Sequence, residues 1–240
     1  MTQSADSITA RLREIREKRG YLLPHHGLLA VMNPALLSAY DELYSHLALD
    51  QRQLSRHDHE AVWLAILLAM RESLATHHIA RFRDAGGGDE TFAAILRLVA
   101  CLEGVGVYDF VAKEWHDHLA ILDMQQCYLE DFHHAAEGMD KRLAHLCASA
   151  VHATLGQRDA LAWQITAAYQ DAVPETELAE ALSLMMFPGG VPRFVRAAAT
   201  WRHLILSGQV IASEDFCSWA ELSGQGGFDQ AVGLAGEDEI

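Results

Sequence analysis

The sequence predicts an all-α chain made of two tandem helical repeats, and three observations carry that reading. Alternating β-branched runs, the signature of strands, are missing. Nearly every segment between turn residues repeats its apolar positions at a period of about 3.6, the helical value. The chain also echoes itself. Gly104-Val105 matches Gly190-Val191, Trp115 matches Trp201 and Ile79 matches Ile165, all at one offset, and His118-Leu119 echoes His203-Leu204 one residue out of step. A single offset shared by a turn and two other matches implies a duplicated unit.

Taken in order, residues 1–23 form an N-terminal amphipathic segment. Ile8, Leu12 and Ile15 recur at helical spacing among Arg11, Arg13, Glu14, Arg16, Glu17, Lys18 and Arg19, which predicts an exposed helix closed by Gly20. Residues 24–120 are read as the first repeat. Pro24 punctuates its start, and Asn33-Pro34 opens a helix running to about Leu47, with Leu36, Leu37, Tyr40, Leu43, Tyr44 and Leu47 on one face. Ser55 caps the next helix, which carries Glu60 and has Asp58 in its first turn. The offset sets Leu155-Gly156 opposite Ala69-Met70. A turn is therefore expected near Met70, with Arg71 and Glu72 in the first turn of the following helix. Residues 121–210 are the second repeat, in which Gln164 stands opposite His78. Residues 211–240 form a C-terminal segment whose Gly-rich, acidic tail after Ser223 is expected to be disordered.

Composition narrows the function. Half of the 240 residues are apolar and about a fifth are charged, as in ordinary globular chains. A formal charge of −15 argues against nucleic acid and against anionic membrane surfaces, both of which would repel it. The apolar run Ala61 to Met70 is too short to span a bilayer. Cys101, Cys127, Cys147 and Cys217 are scattered and form no Cys-x-x-Cys, so free thiols in a reducing cytoplasm are expected. A phosphate-binding glycine loop after a strand, a Gly-x-Ser-x-Gly elbow and an EF-hand loop are all missing.

Histidines are abundant: His25-His26, His57 and His59, His77-His78, His116 and His118, His133-His134. Helical metal sites need ligands at i and i+3 or i+4. Glu130 with His133 or His134, and Glu114 with His118, have that spacing. Adjacent pairs such as His133-His134 point about 100° apart on a helix and do not easily share an ion. No metal is assigned, and most of these histidines are read as interface or solvated residues. The apolar stripe of Trp63, Leu64, Leu67 and Leu68 is read as core, as is Met185-Met186-Phe187.

The stretch from Glu60 through an apolar helix to His77-His78 and on to Gly86 resembles the central motif of the carboxymuconolactone decarboxylase and alkylhydroperoxidase-D-like family. A second passage, from Val173-Pro-Glu-Thr-Glu-Leu to Gly189-Gly-Val-Pro192, looks like that family's helix start, acidic helix and Gly-x-Pro turn. The resemblance implies the all-α, alkylhydroperoxidase-D-like fold. It also sets the family's two cysteines at Arg71 and Leu74, so thiol–disulfide peroxidase chemistry is not expected. What it implies instead is a cofactor-independent lyase, a decarboxylase of a small carboxylated lactone or aromatic ring-cleavage product. Arg71, Leu74 and His78 are expected on one helix face. His78 is then the acid/base and Arg71 anchors a carboxylate through its fork, with Leu74 and His77 beside it. Glu60 orients His78. The interval between them is slightly shorter than the family's, so His59 and Glu72 stay open as partners. Family members form rings, which implies a homo-oligomer, a trimer or hexamer, with a small acidic substrate and no cofactor. Two alternatives stand beside this: a non-catalytic binding or assembly member, with Arg71 and Glu72 as solvated charges and His78 packed structurally on Glu60, and a metal-dependent enzyme using the extra histidines.

Overall fold

The computed structural model describes residues 5–119 and 122–227. Its described residues are helical, with no strand among them. Two compact units divide at Asp50.

The first unit holds α1 (Ala5–Arg19), α2 (Pro24–Met32) and α3 (Pro34–Ala48). Gly20 ends α1 at φ +83, a left-handed conformation that favours glycine. The Asn33 side chain accepts from the Leu36 amide at 3.1 Å and so caps α3 as expected. Ile15, Ala30 and Leu37 form the core, with Ile8, Leu12 and Leu29 packed against it. Arg19 is buried rather than solvated: it donates to Asp41 at 2.7 Å and lies over the Tyr44 ring. The helices α2 and α3, assigned from sequence to the first repeat, cluster with α1 because α1 cannot cover its apolar stripe alone.

The second unit holds α4 (Arg56–Met70), α5 (His77–Asp84), α6 (Asp89–Glu103), α7 (Gly106–Glu114) and a 3-10 turn at His116–His118. It continues with α8 (Met124–Ala135), α9 (Lys141–Leu155), α10 (Arg158–Gln170), α11 (Glu175–Leu184), α12 (Val191–Leu206) and α13 (Glu214–Glu221). Its centre is α4 packed on α9. These helices bury nearly every side chain, from Asp58 to Leu67 and from Leu143 to Thr154. Apolar residues all round a helix demand neighbours all round it. Here α5 and α6 cover α4, and α10, α11 and α12 cover α9.

The two central helices start and stop alike. Ser55 caps α4 by accepting from the Asp58 amide, and Asp140 caps α9 by accepting from the Leu143 amide. Both end on a left-handed residue, Arg71 at φ 52 and Gly156 at φ 75. The segments beyond these two residues differ. Gly156 and Gln157 lead straight into α10, whereas Arg71–Thr76 stays irregular before α5 begins at His77. The Glu72 amide bonds back to the Leu67 carbonyl at 3.0 Å, closing α4 and turning the chain away. The expected helix start at Arg71 is therefore wrong, and the shared face of Arg71, Leu74 and His78 does not form.

In the C-terminal segment, α13 stacks Phe216 on Trp201, with ring centroids 5.0 Å apart. Of the predicted disordered tail, Glu237, Asp238 and Glu239 lie outside the described residues. Asp89–Glu114 is long and apolar enough to cross a membrane by composition. It is two helices parted at Gly104-Val105, and α6 packs against α4, α8 and α9.

Candidate functional site

From mid-α4, Glu60 reaches the first turn of α5. Its Oε2 lies 2.7 Å from His78 Nδ1, and both side chains are buried, His78 at 2% and Glu60 at 8% exposure. Of the partners left open by the sequence, Glu60 is the one that meets His78. Burial pushes the Glu60 carboxyl up to about 7, against weaker pulls from His59, Arg81 and Arg56. Burial also pushes His78 down to about 3, helped by Arg81 and His59. The pair is thus uncharged between about pH 3 and 7, a carboxyl hydrogen-bonded to a neutral imidazole. Of the two groups, Glu60 is the one that burial brings to about 7.

A single indole organises the surroundings. Trp63 stacks on His78 with centroids 4.6 Å apart, and its Nε1 donates to His59 Nε2 at 3.1 Å. With Nε2 accepting, His59 donates from Nδ1 to Glu180 of α11 at 3.4 Å. Burial opposes the charge on Glu180, but His59, the Gln53 and Leu54 amides and Arg52 hold its carboxyl below the usual range. His59 is therefore an orienting neighbour and not the acid partner. His77 is half-buried with its ring 4.3 Å from that of His78, and burial, His78 and Arg81 push it down to about 3.

The remaining sequence candidates lie elsewhere. Arg71 is exposed and pairs with Glu103 at 2.6 Å. Glu72 is exposed and accepts from the Leu74 amide at 2.7 Å, and Leu74 is 69% exposed. Arg71 and Glu72 line a surface cavity of about 330 Å³ with Leu64, Leu67 and Ile79, a cavity that His78 does not line. Arg81 of α5 is a cation whose charge does reach the pair. Its charge acts on Glu60, His77 and His78 alike, and its buried NH1 has no hydrogen-bond partner. The signal was present in the sequence: Arg81 follows His77 and His78 by four and three residues, on one helix face.

The second repeat fills the same place with other groups. His145 in α9 meets Gln164 in α10, with Nδ1 2.6 Å from the amide Nε2. Tyr128 lies 2.5 Å from Gln164 and 2.7 Å from His152, and His152 lies 2.7 Å from Gln157. At the other end His145 Nε2 sits 2.7 Å from Asp171. This buried polar chain was not foreseen.

Residues 124–203, from α8 into α12, match the model of the carboxymuconolactone decarboxylase family. The second repeat is thus similar to this family over most of its length. No curated protein and no solved structure matches the chain. The match supports the family assignment and contains the second passage, Val173 to Pro192, but it falls on the repeat that carries Gln164 and leaves out the Glu60–Gly86 stretch with His78. The matched repeat thus has an amide where the first repeat has its imidazole.

Proposed function

We propose that the chain is a cofactor-independent lyase of the decarboxylase type, acting on a small carboxylated substrate at Glu60, His78 and Arg81. The observation that carries this reading is the neutral Glu60–His78 pair, with the Glu60 carboxyl raised to about 7, beside a buried guanidinium nitrogen that lacks an acceptor. A proton donor works best with a pKa near the operating pH. Arg81 binds the anionic substrate. As the carboxylate leaves as CO2, the C–C bond breaks and its electron pair moves into the carbonyl of the lactone or ketone. His78 then protonates that carbon from its second ring nitrogen while its Nδ1 takes the proton of Glu60. Solvent then returns a proton to the second ring nitrogen of His78 while its Nδ1 passes its own back to Glu60. Arg71, Glu72 and Leu74 take no part. The proposal includes a homo-oligomer, supported by exposed Leu28, Val31 and Met32 on α2 and Val191 and Val195 on α12.

One observation favours binding without catalysis. Within the matched repeat, a cavity of about 240 Å³ is lined by Arg158, Arg193 and Arg196 together with Gln157 and Thr200, a cationic pocket in a chain of charge −15. Assaying CO2 release from a panel of carboxylated lactones and β-oxo acids separates the readings. Turnover lost in His78→Ala supports the lyase. Calorimetric binding of the same compounds without turnover, abolished by Arg196→Ala, supports the binding protein.

A further inference from the structure

The polar chain of the second repeat can be followed one hydrogen at a time. Gln157 Oε1 accepts from His152 Nδ1 at 2.7 Å, so neutral, fully buried His152 presents a lone pair at Nε2. The single Tyr128 proton goes to that lone pair, 2.7 Å away. The phenol oxygen then has only lone pairs left for Gln164, 2.5 Å distant. The two ends of a side-chain amide exchange places by a half-turn. Turning Gln164 puts its NH2 on Tyr128 and its carbonyl on His145 Nδ1, which then carries hydrogen; turning Gln157 instead lets Tyr128 donate to Gln164 Oε1 and leaves the His145 hydrogen on Nε2. In the first of these settings His145 Nε2 is left with a lone pair facing Asp171 Oδ2 at 2.7 Å. Two lone pairs at that distance need a cation between them.

A proton would join two groups, but three donors converge here. His133 of α8 offers a ring nitrogen, and the ligand atoms of His133, His145 and Asp171 all lie within 4.8 Å of one another. Small side-chain rotations bring three such atoms onto one ion at about 2.0–2.2 Å. We propose that His133, His145 and Asp171 bind a divalent first-row transition-metal ion, of the zinc or iron(II) class. Two imidazoles and one carboxylate are the donor set that such ions prefer over magnesium or calcium. The outer atoms of the two inner ligands are already held. Lys141 bonds Asp171 Oδ1 at 2.5 Å, and Gln164 fixes the His145 ring, the support that ligating residues require. His133 is exposed, so the ion keeps a side open to water. Its helical neighbour Glu130 is bonded to Gln126 at 3.0 Å.

The test is titration of the metal-free full chain with Co2+, read by visible d–d absorption, with Zn2+ as competitor. One equivalent per chain, displaced by Zn2+, is expected. His133→Ala, at an exposed position that leaves the fold intact by thermal melt, should weaken binding by at least about tenfold. Zn2+ should raise the melting temperature of the wild type and not of His133→Ala. Nitrogen-15 spectra of the metal-free protein should place the His145 hydrogen on Nδ1. Absence of a d–d band, an equal affinity in His133→Ala, or a neutral His145 protonated at Nε2 would each overturn the proposal.

Discussion

At the same point of two equivalent helices, the first repeat sets Glu60 against His78 and the second sets His145 against Gln164. Both pairs are buried and both join the central helix to the one after it. The difference lies in what each can exchange. A carboxyl and an imidazole pass a proton between two titrating groups, and burial brings the carboxyl to about 7, where it works at neutral pH. An amide does not titrate, so Gln164 can only orient His145. One frame thus supports two polar cores, one suited to moving a proton and one suited to holding a ring still. The connections differ in keeping with this. α10 starts well before Gln164, whereas α5 starts one residue before His78, after an irregular stretch.

Copying the second repeat into the first gives the largest expected effect. His78→Gln should keep the fold, because glutamine already fills the equivalent place, and should lower turnover by about 10²–10⁴-fold, the range for losing an acid/base. Steady-state CO2 release with parallel melts measures both. The two arginines come next. Arg81→Ala should raise KM by about tenfold or more, since a hydrogen bond to a charged group contributes about 1.5–3 kcal/mol. Arg71→Ala should leave KM within about twofold, and equal effects of the two would return the anchor to Arg71.

The converse exchange, Gln164→His, removes the amide that links Tyr128 to His145. It should cost about 1–3 kcal/mol of stability by leaving a buried partner unsatisfied, read by chemical denaturation. Glu60→Gln isolates one titration. The folded pKa of Glu60, about 7, lies above its ordinary 4.5, so its contribution is fully present below pH 4.5 and is lost as pH rises through 7. The variant should therefore gain stability relative to the wild type between pH 4.5 and 7, with no further change above. Smallest of all, Arg71→Gly should change stability by no more than about 1 kcal/mol. Relief of the left-handed strain is offset by loss of an exposed ion pair with Glu103.

Much of the fold was legible because it is written locally. Asn33 and Ser55 cap the helices they were read to cap, and Gly20 stops α1. The family motif led to Glu60 and His78. Three things were hidden. Arg71 adopts the left-handed turn without being glycine, so nothing in the residue type marked the break before α5. The pKa exchange between Glu60 and His78 depends on burial, which spacing does not report. The grouping of His133 with His145 and Asp171 joins α8, α9 and the end of α10, and no i, i+4 search finds ligands on three helices.

The central claim is that the first repeat holds a carboxyl that titrates near neutrality. Carbon-13 NMR of the chain labelled at glutamate side chains, followed from pH 3 to 9, measures it directly, with the Glu60 signal assigned by its loss in Glu60→Gln. A midpoint at about 7 is expected, against the ordinary 4.5. A midpoint near 4.5 would make Glu60 a plain carboxylate beside a charged His78, and the first repeat would have no proton to give at neutral pH.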